Sequence, residues 1–183
     1  MSTGSVTVFA EQGCVCAVMY RHADGHPACH GAALRDFLMR CTSLSGDAGG
    51  DEHEEWVSAF DDADGPFTAT GISCLAAQVV AHFKDGPGHI YLKPEHSDWS
   101  EEFRYIVYAT KDHAIGLEVQ RMTVVPDFKR FGLMKRGRIT LYKGSVKDFD
   151  PQKAAHAALS IGRPSVRVVD TSGSMLDAPP EHS

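Results

Sequence analysis

Two short β-prone runs open the chain, residues 5–10 and 14–21, split by Glu11-Gln12-Gly13. Runs joined by a few residues that include glycine read as a hairpin. In the second run Cys14, Cys16, Val18 and Tyr20 fall on one face and Val15, Ala17 and Met19 on the other, because side chains alternate along a strand. Both faces are mostly apolar, which predicts a central strand. From His30 the period lengthens: Leu34, Phe37, Leu38 and Cys41 follow the i, i+3, i+4, i+7 rule of one helical stripe. A second stripe begins near Thr70 with Ile72, Leu75, Val79 and Phe83, while Ala76, Ala77 and Ala81 leave room for a close neighbour. Asp85-Gly86-Pro87-Gly88 ends it, since glycine accepts a left-handed cap and proline cannot continue a helix.

Residues 89–92, 103–110, 115–125 and 138–143 then read as strands, with turns at 94–100 and 112–114. No βαβα alternation is present. The predicted class is α+β, a mostly antiparallel sheet with two helices packed on one face. A chain of 183 residues suits one core, placed at residues 1–160 with an acidic loop at 45–66 and a basic loop at 126–138. Residues 161–183 are read as a C-terminal tail, expected to be mobile unless its one apolar run, Val166-x-Val168-Val169, adds a strand to a sheet edge.

A composition of 43% hydrophobic and 23% charged residues is ordinary for a globular protein and excludes a fibre or a coiled coil. No apolar stretch nears the roughly 20 residues of a membrane span, so no membrane partner and a cytoplasmic location are expected. Five cysteines, an odd number without paired spacing, point to reduced thiols.

Charge changes the picture more. Residues 45–66 hold eight acids and no Lys or Arg, whereas residues 120–167 hold eleven Lys and Arg against three acids. The net charge of -6 conceals this polarity. One reading is two solvated loops. The sharper one is a partner-binding surface formed by Lys129, Arg130, Phe131, Lys135, Arg136 and Arg138, with Trp56 and Trp99 in polar stretches as further contacts. A protein partner is favoured, because whole-chain acidity opposes nonspecific nucleic-acid binding at range. Nucleic acid or a nucleotide is a further possible partner of the basic loop, ranked below both the protein-binding and the enzyme readings, held by the cations and stacked on Phe131 or Tyr142. Asp62-Ala63-Asp64-Gly65-Pro66 does not meet the calcium-loop pattern.

Reactive side chains concentrate in Tyr20-Arg21-His22-Ala23-Asp24-Gly25-His26-Pro27-Ala28-Cys29-His30-Gly31. His22, Asp24 and His30 are the candidate catalytic residues, since imidazole and carboxylate move protons or ligate metals near neutral pH. The competing reading is a structural turn, with Gly25 at positive φ and Arg21 paired with a carboxylate. An iron site on His22-x-Asp24 lacks its distant second histidine, and a zinc site on His22, His26, Cys29 and His30 lacks paired cysteines. Adjacent Cys29 and His30 do not by themselves make an activated thiol. No phosphate loop, serine elbow or kinase set occurs, so no metal and no cofactor are assigned. His82 and Cys74 read as core or boundary residues.

Tyr20-Arg21-His22-x-Asp24-Gly25-x-Pro27 with His30-Gly31, then Cys74-Leu75-Ala76-Ala77-Gln78-x-Val80-Ala81-His82-x-Lys84, Pro87-Gly88-x-Ile90-Tyr91-Leu92 and Leu141-Tyr142-Lys143-Gly144-Ser145-x-x-x-Phe149, resembles a family of small uncharacterised bacterial and phage proteins. The resemblance runs from about residue 5 to residue 149. It implies kinship without an activity. Ala23 and His26 depart from the aromatic and the Tyr common there. The combined reading is a small intracellular interaction protein of phage or mobile-element kind, engaging a host macromolecule through charged loops. The runner-up is a small-molecule or nucleotide-processing enzyme using His22, Asp24 and His30.

Overall fold

The computed structural model describes residues 3–44, 65–94, 101–126 and 134–161. The expected contact residues Trp56, Trp99, Lys129, Arg130 and Phe131, most of the acidic stretch and nearly all of the expected tail lie outside them. Strands β1 (Ser5–Glu11) and β2 (Cys14–Arg21) form the opening hairpin, and Gln12 (φ 50) and Gly13 (φ 84) make its left-handed turn. A five-residue π-helical turn, Pro27–Gly31, leads into α1 (Ala32–Met39). Strands β3 (Cys41–Leu44) and β4 (Phe67–Ala69) pair in parallel and bracket the acidic stretch. Helix α2 (Gly71–Phe83) precedes β5 (Ile90–Leu92), β6 (Phe103–Ala109), β7 (Ile115–Pro126) and β8 (Met134–Ser145). Helix α3 (Pro151–Ser160) follows.

The main sheet has six strands in the order β5-β2-β1-β6-β7-β8. Four of its pairings are antiparallel, and the central β1–β6 pairing is parallel. This is the expected α+β class with a mostly antiparallel sheet. Phe9, Met19, Phe103, Tyr105, Val107, Leu117 and Val119 share one core with Leu34, Phe37 and Leu38 of α1, Ile72, Leu75 and Val79 of α2, and Ala154 and Ala158 of α3. Three helices thus cover one face, where periodicity suggested two. The third is short and alanine-rich, so its stripe is weak, yet its start is encoded: Asp150 accepts hydrogen bonds from the amides of Gln152 (2.9 Å) and Lys153 (3.0 Å), with Pro151 in the first turn.

Strict alternation fails in β2. Phe9 pairs with Ala17 and Ala10 with Val15, leaving Cys16 as an extra bulged residue. Ala17 stays with the helix-side core, but Val15 joins Val6, Val8 and Val18 in a separate cluster. The basic segment also differs from a simple loop, because Met134–Ser145 is one continuous strand. Cys41, read as helical, begins β3. Among the described residues no helix is long and apolar enough to cross a membrane.

Candidate functional site

Ladder register aligns Ile90, Arg21, Ser5, Phe103, Arg121 and Ile139 in one row across the six strands. The histidine loop leaves the sheet just past Arg21. Met122 and Arg138 stand just past Arg121 and Ile139. The two segments singled out by chemistry and by charge therefore rise from the same end of the sheet. Three strand spacings, roughly 15 Å, separate them.

Inside the loop, His30 is 1% exposed and faces inward-pointing Thr7 of β1, with His30 Nε2 2.9 Å from Thr7 Oγ1. Arg21 NH1 lies 3.5 Å from His30 Nδ1. A guanidinium can only donate, so Nδ1 accepts and the ring proton sits on Nε2, donated to Thr7. The rings of Phe83 and Tyr105 meet the imidazole edge-on at 5.2 and 5.1 Å. Burial, then the Arg21 charge, pushes His30 from 6.5 down to about 3. It is a neutral core histidine with both nitrogens engaged.

The remaining polar groups close the turn on itself. Arg21 Nε donates to Ala23 O (2.9 Å), and its guanidinium lies over Phe83, so Arg21 serves a carbonyl, a histidine and a ring rather than the carboxylate expected of a structural turn. Buried Tyr105 donates its hydroxyl to Gly25 O (2.8 Å), and burial holds its phenol well above the usual range. Asp24 O accepts from His30 N (3.1 Å). The left-handed residue is Asp24, with φ 57, while Gly25 is not among the positive-φ glycines. Gly25 is required for close approach: a Cβ there would lie 2.6 Å from Ser5 Cβ and 2.8 Å from Ser5 N.

His22 and Asp24 are exposed whereas His30 is buried, and among the described residues no three His, Cys, Asp or Glu side chains are grouped to hold a metal. His26 accepts from Ala28 N (3.3 Å) and packs edge-on against Phe103. All five cysteines are free thiols, with Cys14, Cys16 and Cys29 exposed and Cys41 and Cys74 half-buried. His82 is exposed with its ring 4.5 Å from that of Phe37. Sequence reading missed Thr7 and Tyr105. The available signal was the inward alternation of Ser5 and Thr7 with Phe9, which places hydroxyls where β1 meets the core.

On the ribbon, Met122↔Arg138 through Pro126↔Met134 give five pairs in which β8 is the strand opposite β7. Among the described residues β6 reaches only Arg121, so this two-stranded segment extends the sheet by roughly 15 Å. Residues 127–138 contain Lys129, Arg130, Lys135, Arg136 and Arg138 against Asp127 alone. Arg138 is exposed, whereas Lys143, further along β8, is paired with Glu118 at 3.0 Å. At the ribbon's base Arg121 is 9% exposed and donates to the carbonyls of Ala158 and Ile161 (3.0 Å to the latter), tying the C-terminus of α3 to β7.

Two clefts lie at the opposite end of the sheet. One of about 240 Å³ is lined by residues including Met39, Cys41, Asp112 and Lys147, and one of about 330 Å³ by residues including Glu11, Gly71 and Lys111. Leu44, the last described residue before the acidic stretch, and His113 line both.

Because native His30 stays neutral down to about pH 3 while its unfolded counterpart protonates near 6.5, acid favours the unfolded chain across that window. This contribution is complete above pH 6.5 and is lost as pH falls toward 3. The stability gap between wild type and His30→Gln should therefore shrink by about 1.4 kcal/mol per pH unit between pH 6 and pH 4. Urea midpoints at each pH check this, and a constant gap would contradict a buried neutral ring. No family model, no curated protein and no solved structure matches this chain.

Proposed function

We propose that this chain is an intracellular partner-binding protein of phage or mobile-element kind. Its partner surface is the sheet end bearing the β7–β8 ribbon and the exposed side of the histidine loop. The supporting observation is the shared register row: the strands that lead into the densest cation run and into the His22–Asp24 turn leave the same end of the sheet, β2 and β7 standing three strand spacings apart. A span of roughly 15 Å fits within the ~800 Å² that each partner contributes to a standard interface. The cations suit an acidic surface on a host protein, where charge complementarity speeds encounter and fixes register. The origin rests on the family resemblance of the Tyr-Arg-His-x-Asp-Gly-x-Pro segment. The enzyme reading draws no support from His30, whose ring nitrogens face Thr7 and Arg21.

Replacing Lys129, Arg130, Lys135 and Arg136 by Gln should leave thermal stability within about 0.5 kcal/mol of wild type, as the proposed surface role of these charges requires. Recovery of a partner from the native cell should fall roughly tenfold at low salt, and the difference should narrow as salt screens the charges. Equal recovery at low salt would remove the ribbon from the interface. A complex abolished by nuclease would replace the protein partner with nucleic acid.

A further inference from the structure

The two parallel strands at the centre of the sheet, β1 and β6, end at Glu11 and Ala109. From there β1 turns back into β2 on one side and β6 into β7 on the other, so the chain diverges at the carboxyl ends of a parallel pair. In open α/β sheets such a divergence leaves a crevice that takes ligands. The cleft of about 330 Å³ lies at this point, lined by Glu11, Gln12, Ala109, Thr110 and Lys111 from the two turns. The cleft of about 240 Å³ adjoins it through Leu44 and His113. We propose that the joined clefts bind a nucleoside monophosphate.

Each part of that ligand has a chemical counterpart on the walls. The Glu11 carboxylate lies against the start of α2, where a Cβ on Gly71 would stand 3.3 Å from Oε1 and 3.4 Å from Oε2. Gly71, at φ +82, thus leaves this carboxylate its room. A carboxylate within a cleft accepts hydrogen bonds from neighbouring hydroxyls, the role an acidic residue plays toward ribose in dinucleotide sites.

Lys111 in the larger cleft and Lys147 in the smaller supply cations for a phosphate, and His113 between them supplies a ring donor. Asp112 is the acid of the smaller cleft, so the cations outweigh it only where Lys111 and Lys147 act together. Leu38, Ile115 and Val146 are buried core residues that give the smaller cleft an apolar wall for the base. The larger cleft alone reaches the ~300 Å³ at which sites for small molecules begin.

Titration of the full chain with adenosine monophosphate, followed by amide NMR shifts and calorimetry, tests this. Shifts should centre on residues 11–12, 110–115 and 145–147. Lys111 and Lys147 are exposed, so replacing both by Gln should leave the fold intact and weaken binding roughly tenfold. The 2′-deoxy nucleotide should bind wild type roughly tenfold more weakly than the ribonucleotide, and Glu11→Gln should bind the two alike. Amides of β1 and β6 report that each variant remains folded. No shift at millimolar nucleotide, shifts confined to the histidine loop, or undiminished affinity in the double lysine variant overturns the proposal. Inorganic phosphate binding as tightly as the nucleotide also overturns it, leaving a simple anion site.

Discussion

Gly25→Ala should destabilise the protein by about 3 kcal/mol or more, since overpacking a filled site forces backbone as well as side chains to move. The added methyl would stand 2.6 Å from Ser5 Cβ and 2.8 Å from the Ser5 amide nitrogen, and neither belongs to a flexible side-chain end. Moving the loop outward stretches Gly25 N to Thr3 O (2.8 Å) and Tyr105 OH to Gly25 O (2.8 Å), the second a bond to a buried phenol. At this chain length such a loss lowers Tm by roughly 6–12 °C. Gly13→Ala is the matched control: Gly13 has φ 84 with nothing within 4 Å of its added carbon, so only the left-handed strain of about 1 kcal/mol applies. Thermal unfolding of the pair checks the ranking, and equal Tm losses would mean that close packing is not what requires glycine at position 25.

Arg121→Ala should cost about 3 kcal/mol, combining lost packing with hydrogen bonds from a charged donor. Arg121 is 9% exposed, its guanidinium serves the carbonyls of Ala158 and Ile161, and Glu102 lies 3.8 Å from it. Glu102 is half-exposed and can rehydrate, so the loss concentrates at the end of α3, whose last carbonyls favour a nearby cation. Faster amide exchange in α3 than in α2 is the expected signature. A uniform change across both helices would show that Arg121 supports the core generally rather than this helix end.

How much could be read beforehand depended on how cleanly each segment repeats. Leu34, Phe37 and Leu38 of α1 and Ile72, Leu75 and Val79 of α2 sit in the core, as a 3.6-residue stripe requires. Helix α3 was not read, because Ala154, Ala155 and Ala158 make a stripe of small residues; Asp150-Pro151 was the stronger signal. The lower half of β8 was hidden by Lys135, Arg136 and Arg138, which break the alternation that announces a strand. In β2 the bulge at Cys16 reverses the face of Val15, and periodicity has no means of locating an inserted residue.

The candidate site was legible as a location more than as a geometry. Asp24-Gly25 was recognised as a turn, but the left-handed residue is Asp24 and the glycine answers to Ser5, a neighbour twenty positions away. His30 looked reactive beside Cys29 and Asp24. Its character is set by Thr7, Phe83 and Tyr105, which only the folded sheet brings to it.

The parallel pairing at the centre of the sheet bears on how the chain assembles. Hairpins β1–β2, β6–β7 and β7–β8 close within short stretches of sequence, but β1 meets β6 through Ser5 and Phe103, 98 positions apart. During synthesis the innermost strand of the finished sheet therefore waits with one side unpaired until β6 has been made. Contacts of such long sequence separation slow folding, because loop closure precedes the reward. A β1 edge left unpaired is open to intermolecular strand addition, and the joining of β1 to β6 ends that exposure.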